Sequence, residues 1–173
     1  MENASKALLM AASVLIGMII LTMGVYLYTT IGAYVRESQE QIERETINKF
    51  NVQFYNYLSK ENEIFSFQEI VTIANVAYEN NYKYELPTTK DSAEIVKNYN
   101  GMNNYVQVVL KGYMLNETEE TNNSINLELY VGDQNSLREV LKNNYASKYI
   151  CTGVETGSES KKVYKIEFRK IEN

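Results

Sequence analysis

Apolar residues run almost without interruption from Ala7 to Tyr28, ALLMAASVLIGMIILTMGVYLY, and no formal charge falls between Lys6 and Arg36. A helix over that run is about 33 Å long, against a bilayer hydrocarbon thickness of about 30 Å, so it has the length of a membrane span. Tyr26, Tyr28 and Tyr34 gather at its C-terminal end. Aromatic rings settle at headgroup depth, so these three are expected to be interface anchors. A cleaved signal peptide has a shorter apolar region, of about 7–15 residues. A cut after Ala33 would also put Ile31 where a small residue is preferred. The run is therefore read as an uncleaved anchor, with a secreted domain released by cleavage as the alternative.

The helical pattern does not stop at the bilayer. Residues 36–58 contain no Pro or Gly, and Glu40–Arg44 and Glu45–Lys49 are i,i+4 pairs in the favourable order. Residues 36–45 are polar nearly all round, as a stalk would be. Ile42, Ile47, Phe50, Phe54, Tyr57 and Leu58 then build an apolar stripe that could dock on a core. The expected division is a tail over 1–6, the anchor and its interface over 7–35, a docking stalk helix over 36–58 and an α+β domain over 59–173.

Within that domain, Ser66 and Glu69 form a capping box at the start of a second helix. Ile70, Ile73, Ala74 and Ala77 give it one apolar face, and Asn80 and Asn81 are candidate C-terminal caps. Tyr82–Leu86 reads as a short strand ended by Pro87, and Ala93–Lys97 as a helical turn. Tyr105–Met114 reads as a strand, Asn116–Ser124 as an acidic loop, and Ile125–Val131 as a strand with Ile125, Leu127, Leu129 and Val131 inward. Ser136–Asn143 is a short helix. Lys148–Val154 and Lys162–Ile171 are the last strands, joined by a Gly/Ser turn, with Tyr164, Ile166 and Phe168 on one face of the second. The expected fold is α+β: a long N-terminal transmembrane-plus-stalk helix, a second packed helix, and an antiparallel sheet of about four strands with one short helix.

Composition removes most chemistries. There is no His or Trp and one Cys, Cys151. That excludes a disulfide within the chain, a Cys/His zinc site and any histidine base. A net charge of −5 argues against a broad nucleic-acid surface. The many Asn and Tyr residues fit the codon usage of an AT-rich genome and need no functional explanation. Asp91 and Asp133 lie in expected loops without calcium-loop spacing. Ser59–Lys60 and Ser147–Lys148 are adjacent in sequence, which does not make a nucleophile pair. Glu117, Glu119 and Glu120 read as a solvated loop, and Cys151 in KYICTGV as a small apolar residue. Asn116-Glu-Thr fits a glycosylation sequon, relevant only where the transferase exists. No catalytic, cofactor-binding or metal-ligating residue is assigned, and no cofactor is expected.

Ser13, Gly17 and Gly24 fall within about 40° of one another at 100° per residue, a candidate packing face for another membrane helix. The flanking charges do not decide orientation: Lys6 stands on one side, and Arg36, Arg44 and Lys49 on the other, among Glu37, Glu40, Glu43 and Glu45. A short tail before a long apolar run is the arrangement of a signal anchor, so the C-terminal domain is expected outside the cell membrane.

The opening MENASKALLMAASVLIGMIILTMGVYLY, with FSFQEIVTIANVAYENN further on, resembles a group of small single-span proteins of low-GC Gram-positive bacteria with no assigned activity. In layout the chain also resembles type IV pilins and pseudopilins, whose long N-terminal helix is half in the membrane and half against an antiparallel sheet. Their cleavage motif places Glu at the fifth position after a Gly. Here Gly17 is followed there by Thr22 and Gly24 by Thr29, so the processing motif is missing. The resemblance implies a non-enzymatic, membrane-anchored surface protein, pilin-like or accessory to an envelope or secretion assembly. Its partners would be the lipid bilayer and other transmembrane helices, including its own, with no nucleic acid. The alternative is a membrane-tethered enzyme using carboxylate chemistry.

Overall fold

The computed structural model describes residues 2–58, 63–93, 104–114 and 120–171. The chain divides into two compact units, Met1–Thr46 and Ile47–Asn173. Helix α1 covers Glu2–Leu58. It is followed by β1 (Phe65–Ser66), α2 (Phe67–Lys83), a 3₁₀ turn at Lys90–Ser92, β2 (Gln107–Met114) and β3 (Glu120–Asn126). The short helices α3 (Glu128–Val131) and α4 (Gln134–Asn144) lead to β4 (Lys148–Thr156) and β5 (Val163–Lys170).

The five strands form one mixed sheet in the order β1-β4-β5-β2-β3. The expected α+β layout is present, with two differences in the sheet. A fifth strand, β1, pairs Phe65 and Ser66 with Tyr149 and Lys148. The central pair β2–β5 is parallel, with Val108 opposite Ile166 and Leu110 opposite Phe168, while the other pairings are antiparallel.

One sheet face meets helices. Val106, Val108 and Leu110 on the β2 side and Ile166 and Phe168 on β5 are fully buried against Phe54, Phe67, Ile70, Ala74 and Ala77. The apolar stripe of α1 reaches this core through Phe54, with Phe50 and Tyr57 partly buried beside it. The Tyr57 ring lies 5.0 Å from Phe65 and edge-on to Phe168 at 5.6 Å. Helix α2 starts where the capping box predicts. Ser66 Oγ accepts the Glu69 amide, and the Glu69 carboxylate accepts the Ser66 amide at 2.8 Å.

Four expectations change. Residues 82 and 83 belong to α2 rather than to a strand, because Asn80 and Asn81 lie inside the helix and turn inward. The loop expected over Asn116–Ser124 is in part β3, which begins at Glu120. The strand expected over Ile125–Val131 ends at Asn126, and the chain coils into α3. Leu127 and Leu129 are both buried, but in separate apolar clusters, so a helical turn imitates strand alternation. In β5, Tyr164 leaves the core face: Val163 and Lys165 oppose the adjacent Thr156 and Glu155, making Tyr164 the extra residue of a bulge. Its hydroxyl bonds Glu155 instead. Ser59–Lys60, the Asn116 sequon, Glu117, Glu119 and residues 94–97 of the expected helical turn lie outside the described residues.

Candidate functional site

The sequence-derived candidates all lie on α1. Gly17 and Gly24 have open space where a Cβ would be, with no atom within 4 Å. Ser13 and the rings of Tyr26, Tyr28 and Tyr34 are exposed. The hydroxyls of the run close on their own helix. Ser13 Oγ donates to the Met10 carbonyl at 2.9 Å, Thr22 to Met18 and Ile19, and Thr29 to Val25 and Tyr26. Such back-bonding removes the polar groups that hydrocarbon would leave unsatisfied. The helix is long and apolar enough to span a membrane or to act as a signal sequence, and none of its apolar window is buried.

In the second unit, buried polar side chains organise the sheet. Asn51 of α1 accepts the Val163 amide and donates to the Lys161 carbonyl, both at 2.8 Å. Asn81 of α2 accepts the Val106 amide and donates to the Val106 carbonyl, both at 2.9 Å. Each carboxamide thus acts as a piece of strand edge, and the two hold the entries of the parallel strands β5 and β2. Asn81 continues the apolar face of α2 four residues after Ala77, so its inward position was readable. Its task was not.

Glu128 is fully buried on α3. Its carboxyl accepts the Val108 amide at 2.8 Å and lies 3.2 Å from the Tyr105 hydroxyl. Burial pushes its pKa up to about 8, against the opposing pull of those donors. No sequence signal marked it, since it occupies an outward position of the apparent alternation 125–131.

Lys162 is also buried. Its ammonium donates to Asn80 Oδ1 at 2.6 Å and sits over the rings of Phe50 at 4.4 Å and Tyr84 at 4.7 Å. Burial first, then the neighbouring Lys83, lowers its pKa to about 8. Asp133, expected in a loop, caps α4 by accepting the amides of Asn135 and Ser136. Cys151 is half-buried against the core, and burial raises its thiol pKa. Among the described residues, no three His, Cys, Asp or Glu side chains converge as metal ligands.

The other sheet face is polar. Lys111 meets Glu167 at 2.7 Å, and Lys165 bridges Glu155 at 3.0 Å and Glu167 at 3.7 Å. Lys111, Lys165 and Glu167 line a groove of about 630 Å³ with Gln107 and Val109, and Leu129 and Tyr130 of the α3 segment lie along it.

These features define an α+β domain in a chain whose N-terminal helix is long and apolar enough to cross a bilayer. Compared with family models, with curated proteins and with solved structures, the chain has no match in any of the three.

Proposed function

We propose that the protein is a non-enzymatic, single-pass membrane protein whose α+β domain lies outside the cell membrane. It works by association, as a pilin-like or accessory subunit of an envelope or secretion assembly. The observation that supports the anchor is the unburied apolar run of α1, with the hydroxyls of Ser13, Thr22 and Thr29 closing on their own helix. An apolar surface of that length left in water costs about 25 cal/mol per Å², which a bilayer removes. Full-length protein is expected to stay in the membrane fraction after alkaline carbonate washing. Recovery of a soluble form beginning near Tyr34 would overturn the anchor.

Association is assigned to the Ser13–Gly17–Gly24 face, where the missing side chains let a second backbone approach. Contacts between membrane helices are worth about 0.6–2 kcal/mol each, and about 1.4 kcal/mol is a factor of ten. Gly17→Leu is therefore expected to lower crosslinked dimer in membranes several-fold. Leu15→Ile, on another face at nearly the same depth, leaves it unchanged. Equal crosslinking in all three proteins would mean that the glycines do not mediate contact.

A further inference from the structure

We propose that α1 pairs with α1 of a second copy along one seam that continues out of the bilayer as far as Ile42, so that anchor and stalk form a parallel two-stranded coil. This pairing rests on association through the Ser13–Gly17–Gly24 face and extends it beyond the membrane. Gly17, Gly24, Ile31 and Ser38 recur every seven residues, and Tyr28, Val35 and Ile42 do the same between them. Two interleaved seven-residue series on one helix are the pattern of a left-handed coil. At 100° per residue these positions share an arc of about 80°, with Ser13 inside it. From Gly17 to Ile42 the seam is about 38 Å long against about 30 Å of hydrocarbon, so its last turns lie in water.

The stalk charges select the occupant. Arg36, Glu37, Glu40, Glu43 and Arg44 fall within an arc of about 120° on the opposite side of the helix. Arg44 and Glu40 pair with each other there at 3.8 Å. No charge enters the seam between Lys6 and Glu45. Two chains with the same membrane topology are parallel, and in a two-fold pair each residue meets its own copy, so a charge on the contact would face its like. A different partner would be selected by complementary charge, and this face offers none. Val35 is 47% and Ile42 62% exposed, so their own chain leaves them open, and covering them in water is favourable. Gly17 and Gly24 leave room for the second backbone to come close.

The test uses the full chain in membranes, with Cys151→Ala removing the native thiol and a short bismaleimide crosslinking single introduced cysteines. Val35→Cys and Ile42→Cys should give several-fold more dimer than Glu40→Cys on the charged side. Ser13→Cys reports the anchor contact separately. Ile42→Glu should lower crosslinking through Ser13→Cys several-fold, and coexpression of Ile42→Glu with Ile42→Lys chains should restore it, because each charge then meets its opposite. An unchanged thermal midpoint of the α+β domain checks the fold of these variants. Equal crosslinking at Ile42→Cys and Glu40→Cys, with Ser13→Cys still forming dimer, overturns the stalk seam and leaves the anchor contact standing. Loss of dimer at every position overturns both. A crosslinked product of another mass, with no dimer, overturns the second copy as occupant.

Discussion

Asn81→Ala is expected to destabilise the α+β domain by about 2–5 kcal/mol, seen as a lower urea midpoint in tyrosine fluorescence of the full chain in detergent. The side chain is fully buried and satisfies both the amide and the carbonyl of Val106 at 2.9 Å. Truncation leaves two buried backbone groups unpaired, at about 1–3 kcal/mol each. It also removes one of the two acceptors of the Asn80 side-chain amide, leaving the Asn104 carbonyl. Gln68→Ala, on the exposed face of α2, serves as control and should stay within about 0.5 kcal/mol. A loss below about 1 kcal/mol for Asn81→Ala would mean that water takes over the amide's bonds.

The second large effect is on pH dependence. Glu128 has a folded pKa of about 8 against an ordinary 4.5, so the folded state holds a proton that the unfolded state releases between those values. Its contribution is complete below about pH 4.5 and is lost as pH rises toward 8 and beyond. A shift of this size corresponds to a few kcal/mol, since each unit is about 1.4 kcal/mol. Glu128→Gln keeps the shape, an acceptor for the Val108 amide and a donor toward the Tyr105 oxygen. It should match the parent near pH 5, exceed it by a few kcal/mol near pH 9, and remove much of the slope between. Parallel stability profiles for the two proteins from pH 5 to 9 would show that Glu128 is not held neutral by the fold.

What was legible in the sequence was local. The capping box at Ser66 and Glu69, the apolar face of α2 and the short helix expected over Ser136–Asn143, present as Gln134–Asn144, each follow from residues within a turn or two of one another. The stripe of Phe50, Phe54 and Tyr57 also announced which side of α1 meets a core. What stayed hidden depends on partners distant in sequence. A two-residue strand such as β1 carries no periodicity, and exists because Tyr149 and Lys148 are there to pair with it. The parallel register of β2 and β5 joins residues more than fifty positions apart, as Val108 and Ile166 do. The alternation at Ile125, Leu127 and Leu129 misled because separate clusters take the last two. The candidate groove was not readable either, since Gln107 differs from any other strand-borne polar residue only in what surrounds it.

The position of β5 sets the order in which the domain becomes stable. It lies between β4 and β2 and leaves the ribosome after the other four strands of the sheet. Until residues 163–170 have been made, β2 and β4 each lack their inner neighbour, and the hairpin β2–β3 stands alone. An isolated two-stranded hairpin is at best marginally stable in water, and long-range parallel pairing is slow to form. Nascent chains stopped before Val163 therefore expose the apolar faces of β2 and α2 without a sheet to cover them. The domain closes its core only when β5 slots into the centre, with Asn51 and Asn81 already carried on helices made earlier and ready to receive the two strand entries.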